Sequence, residues 1–81
     1  MTTAAESIAF NIVEGCGASS QKEFARFLDI SIKSAFELEY QLELAYDYGV
    51  LPSERHVRLA QETVEIRKMT FALQQKVLQS P

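Results

Sequence analysis

The chain has no tryptophan, one cysteine, one histidine, three glycines and two prolines among its 81 residues. A lone cysteine cannot close an internal disulfide, so nothing ties the fold to an oxidising compartment. No apolar run approaches the ~18 residues of a membrane span. The start, Met1-Thr2-Thr3-Ala4, lacks the basic residues of a secretory signal. A cytoplasmic location with no membrane partner is the expectation. The net charge of −3 and the pI near 5.0 argue against a protein wrapped in nucleic acid, but leave room for a local basic patch. At this length the chain is a single domain, residues 1–81, and every apolar stripe needs a partner.

The scarce breakers divide the chain. Gly15, Gly17, Gly49 and Pro52 are the internal ones, and they separate three segments with helical spacing and no strand-like alternation. A short helix is expected over about 4–14. Its stripe is Ala5, Ile8, Ala9, Ile12 and Val13, with Phe10 pointing away and Gly15 supplying a left-handed C-terminal stop. A long helix is expected over about 20–48, opened by a capping box in which Ser20 and Glu23 satisfy each other's backbone N–H groups. Its seam is Phe24, Leu28, Ser31, Ala35, Leu38, Leu42 and Ala45, spaced by fours and threes. A second long helix is expected over about 53–79, with Ser53 as N-cap and Glu54 favourable to the dipole. The short linker between them makes an antiparallel pair.

Both long helices carry a second apolar stripe. On the first, Ile32, Phe36, Tyr40 and Leu44 form a ridge largely opposite the seam. On the second, Val57, Ala60, Val64, Phe71 and Leu78 oppose Leu59, Ile66, Leu73 and Val77. The short helix is only about 16 Å long against some 40 Å for its neighbours. It cannot cover four stripes. The surplus points to a further helix ahead of Met1, to neighbouring subunits, or to both. Phe10, Ile32, Phe36, Tyr40 and Leu44 are the residues expected at an oligomer interface.

Charge is segregated along the first long helix. Lys22, Arg26 and Lys33 lie within about 40° of one another on its N-terminal half. Glu37, Glu39, Glu43 and Asp47 crowd its C-terminal half. A head-to-tail ring would bring one subunit's acidic end against the next one's basic end. The same three basic residues are the candidates for nucleic-acid contact, each chain contributing few phosphate pairings that an oligomer multiplies.

Residues for catalysis are thin. Cys16, between two glycines, has His56 as its only imidazole, forty residues away. No Glu-x-x-His spacing precedes His56, and Gly15-Cys16-Gly17 lacks the rest of a phosphate loop. No catalytic, metal or cofactor residues are assigned, and no enzyme is expected.

The stretch Ser7-Ile8-Ala9-Phe10-Asn11-Ile12-Val13-Glu14-Gly15-Cys16-Gly17, then Ser20-Gln21-Lys22-Glu23-Phe24-Ala25-Arg26-Phe27-Leu28, and then Glu37-Leu38-Glu39-Tyr40-Gln41-Leu42-Glu43-Leu44-Ala45, forms a specific pattern. It resembles the proteins encoded within intervening sequences of bacterial 23S ribosomal RNA genes. The resemblance implies an up-and-down four-helix bundle, here lacking the first helix, and a pentameric ring. A branch of similar fold, the accessory variability protein of diversity-generating retroelements, implies an alternative role in binding a reverse transcriptase and nucleic acid. Two departures stand out. The family's first long helix would precede Ser7, and its usual proline and basic residue are replaced by Ala9 and Ala18. The second loss weakens the nucleic-acid branch. The leading expectation is a non-enzymatic homo-oligomer.

Overall fold

The computed structural model describes residues 2–79, which form three α-helices and no strand. They are α1 (Thr2–Cys16), α2 (Gln21–Asp47) and α3 (Ser53–Gln79). The fold is all-α, as the spacing requires.

The turn chemistry explains where each helix stops. Ser20 is the N-cap of α2 and its hydroxyl accepts from the Glu23 backbone N–H at 3.1 Å. The return half of the expected capping box is different: the Glu23 carboxylate accepts from the Ser19 hydroxyl at 3.2 Å. At the other end Gly49 takes φ +77°, the left-handed conformation that costs glycine little. Val50 N–H then reaches Ala45 O and Gly49 N–H reaches Tyr46 O, each at 3.0 Å. This paired bonding satisfies carbonyls that the helix end would otherwise leave open. Ser53 is the first residue of α3 rather than its cap, and His56 N–H bonds Pro52 O at 2.9 Å.

Gly15 does not stop α1. The helix runs on through Cys16, and Gly15 is buried inside it. A Cβ there would lie 2.8 Å from the Phe24 ring and 3.2 Å from Phe27 Cβ. Its smallness lets α1 approach α2, which is a packing role.

α1 and α3 both pack on α2, and their backbones do not approach each other. The molecule is 47 Å long and 19 by 13 Å across, an open angle in section with α2 at the corner. The α2 seam lies inside that angle. Leu28, Ser31, Ala35 and Leu42 are buried, and Ala25, Leu28 and Val77 form the core cluster with Ile12 and Phe24 against it.

Two inward faces differ from expectation. α1 turns Ala4, Ile8, Asn11 and Gly15 inward, while Val13 is 69% exposed. Polar bonds explain this: Ser31 donates to Ile8 O at 2.9 Å, Ser7 and Ser34 hydroxyls meet at 2.8 Å, and Asn11 donates to Ser7. On α3 the buried residues are Thr63, Thr70 and Gln74, which lie between the two apolar stripes, and Val77, the one member of the second stripe that is buried. Thr63 and Thr70 donate to the carbonyls of Leu59 and Ile66, each at 2.7 Å. Gln74 donates to Ala25 O at 3.0 Å across the pair.

Candidate interaction surfaces

Because α3 presents a narrow, largely polar strip to α2, its larger apolar side chains point outward on both flanks. Val57, Phe71 and Leu78 are 51%, 53% and 56% exposed on one flank. Ile66, Met69 and Leu73 are 43%, 71% and 39% exposed on the other. Two surfaces result, one on each side of α3.

The first lies over the α2–α3 contact. Asp29, Ile32, Phe36, Arg67, Phe71 and Gln74 enclose a hollow of about 370 Å³. Its centre is a fork: Arg67 Nε donates to Glu39 Oε2 at 2.7 Å and Nη2 to Oε1 at 3.3 Å. The same guanidinium sits 4.3 Å from the Phe36 ring centroid, a cation–π contact that fixes the ring. Both ion-pair side chains are about three-quarters buried, so the pair is better shielded than a surface bridge. Beside it, Lys33 pairs with Asp29 at 3.2 Å.

The second surface is the mouth of the open angle. Ile12 from α1 faces Ile66, Met69, Thr70 and Leu73 from α3 across a groove of about 320 Å³. It is apolar and runs between two helices whose backbones do not approach each other.

The model of the 23S rRNA-intervening sequence protein family matches residues 1–72. The chain belongs to that family. No curated protein and no solved structure matches it.

In this 23S rRNA-intervening sequence protein the residues singled out for an oligomer interface are divided. Phe36 and Tyr40 are 53% and 65% exposed on the outer side of α2, and Leu44 is half-buried. Ile32 turns into the α2–α3 contact and is only 9% exposed, because it lines the floor of the hollow. Phe10 is 61% exposed on α1, away from that hollow. Lys22 and Arg26 are exposed, and Arg26 lies 5.2 Å from the Phe27 ring centroid. Lys33 is engaged with Asp29.

Cys16 and His56 sit at opposite ends of α2. Cys16 is exposed at the α1–α2 turn. His56 stacks on Tyr46 with centroids 4.4 Å apart and meets Glu43 at 3.0 Å. That arrangement fastens the α2–α3 end of the hairpin. Among the described residues, no three His, Cys, Asp or Glu side chains gather as a metal site, and no helix is long and apolar enough to cross a membrane.

Sequence reasoning missed Arg67 and Met69, and placed Glu39 only in the acidic cluster of α2. Arg67 and Glu39 stand 28 positions apart, and only the antiparallel pairing aligns them. Met69 belonged to neither sequence stripe, although its place on the helix circle beside Leu73 was readable from spacing.

Proposed function

We propose that this family member is a non-enzymatic assembly module, a homo-oligomer acting in the cytoplasm. In this reading it is three-quarters of a four-helix bundle. The α1–α3 groove takes a further helix, and the outer side of the α2–α3 pair takes a second copy of the chain. One observation carries the reading: α3 turns threonines and a glutamine inward and leaves Ile66, Met69, Phe71 and Leu78 outside. A helix apolar on two opposite flanks belongs between layers, and here each flank has open space. The cytoplasmic location rests on the lone cysteine, which can close no internal disulfide.

The resemblance implies a ring of five, a stoichiometry that mass reads directly. Light scattering or native mass spectrometry at low and high salt tests the reading. A discrete oligomer that Tyr40→Glu disperses is the expected result. A monomer at every concentration sinks it.

A second reading has Lys22, Arg26 and Lys33 contacting nucleic acid or a reverse transcriptase. The exposed Lys22 and Arg26 on one face of α2 support it. Lys33 already pairs with Asp29, which leaves fewer free cations for phosphate. Changing Lys22 and Arg26 to Glu abolishes salt-sensitive RNA or DNA binding under this reading. If wild type shows no such binding, the second reading fails.

A further inference from the structure

The hollow over the α2–α3 contact is held open from within. Arg67, forked on Glu39, keeps the Phe36 ring against its guanidinium and so fixes one wall. Gln74 is tied to Ala25 O at 3.0 Å, and Ile32 is 9% exposed on the floor. Phe36 and Phe71 are each 53% exposed on the rim. At about 370 Å³ the hollow has ample room for an aromatic ring, and its own rings offer edge and face to one. Walls that are already fixed lose little freedom when such a site is filled.

The side chain that fits stands on α1. Phe10 is 61% exposed and Val13, three positions on, is 69% exposed. At 100° per residue Phe10 lies about 160° around α1 from both Ile8 and Ile12. It therefore points away from α2 and from the α1–α3 groove, and a helix filling that groove leaves it bare. Glu6 and Glu14 stand one turn to either side of Phe10, both exposed, and they are the only charged residues in α1.

The hollow is set among cations. Lys33 lies between Asp29 and Phe36 on α2, and its side chain stays 76% exposed although it pairs with Asp29. Arg26 stands one turn before Asp29, and Lys68 one turn before Phe71 on α3, both exposed.

We propose that the hollow is a socket between copies of the chain, and that α1 of a neighbouring copy fills it with Phe10. With Phe10 centred there, Glu6 and Glu14 lie about 6 Å to either side along the helix. Arg26 is then in reach at one end and Lys68 at the other, with Lys33 between them. The acidic pair also selects the half of α2: Lys22, Arg26 and Lys33 attract it, whereas Glu37, Glu43 and Asp47 repel it. Plug and socket are different parts of the chain, so each copy gives α1 to one neighbour and takes it from another. Such a contact runs head to tail and is the kind that a ring repeats. The pairing rests on the self-assembly reading above and specifies which surfaces meet within it.

Native mass spectrometry of the full chain tests the contact. Phe10→Glu and Phe71→Glu change side chains that are more than half exposed, so circular dichroism should find both variants as helical as wild type. Each variant alone should weaken association at least about tenfold, the worth of burying a phenylalanine ring. One keeps a sound socket and the other a sound plug, so an equal mixture should form one-to-one pairs and nothing larger. A zero-length carbodiimide, which joins lysine to carboxylate, gives a second readout on wild type. Chains of light and heavy nitrogen, mixed and cross-linked, should yield Glu6 or Glu14 joined to Lys33 or Lys68 with one isotope on each side. An assembled wild type without that cross-link overturns the plug and leaves self-assembly standing. So do variants that assemble as wild type does, or that stay apart when mixed. A wild-type monomer at every concentration overturns both.

Discussion

At the residue scale, fit decides more than residue type. Gly15 stands in a helix, where alanine is intrinsically better by about 1 kcal/mol. The Phe24 ring and Phe27 Cβ leave no room for a methyl group, however, and overpacking costs about 1–3 kcal/mol. Gly15→Ala should therefore lower stability by about 1 kcal/mol, a fall of about 4–8 °C in Tm for a domain this small. A rise in Tm would show that the two helices move apart freely. Arg67 makes the complementary case. Its fork to Glu39 and its place over Phe36 need a planar, five-donor group. Arg67→Ala should cost about 1–3 kcal/mol in urea unfolding, and Arg67→Lys should recover less than half of that. A double-mutant cycle with Glu39→Ala should return a favourable coupling, and a value of zero would reduce the pair to a surface ornament.

At the element scale, the three helices are secured by different means. α1 is 15 residues long, a length at which an isolated helix is marginal in water. It is tied to α2 by the Ser31–Ile8 and Ser7–Ser34 bonds and by the Gly15 contact. Its amides should exchange faster than those around Leu28 and Ala35 in α2, measured by native-state hydrogen exchange. Equal protection would mean that α1 and α2 open only together. The existence of all three helices and the junction between α2 and α3 were legible, because glycine, proline and serine there act locally; the end of α1 was not, since Gly15 lies inside the helix. The inward face of α3 was not. Two nearly opposite apolar stripes compete there, and the face between them wins. Gln74–Ala25, Arg67–Glu39 and His56–Glu43 bridge the pair along its length, and each bridge joins residues remote in sequence.

At the scale of the whole molecule, the open angle between α1 and α3 governs behaviour. Ordinary domains stack two layers around one core, whereas here α3 has solvent on both flanks. Side chains on those flanks should matter little to the single chain. Met69→Lys should leave the urea midpoint of monomeric protein within about 0.5 kcal/mol of wild type. The same change should reduce binding of a fluorescent apolar probe, because it removes a 71%-exposed side chain from the groove wall. A large loss of stability would instead place Met69 in the core. Of the interface residues named from spacing, Phe36 and Tyr40 lie on the open outer side of α2 and Ile32 does not. The reason is angular: Ile32 is rotated toward α3, where the hollow's floor needs an aliphatic side chain.

The sequence alone determined the helical class, the number of segments, the capped start of α2 and the break between the long helices at Gly49 and Pro52, all matters of neighbours in the chain. It also carried the charge order of α2 and the family pattern. Tertiary structure decided which strip of α3 turns inward, that Gly15 serves a close approach, and that Ile32 is enclosed while Phe36 is held open under Arg67. Those outcomes depend on which surfaces meet, and periodicity assigns residues to faces without saying which face finds a partner.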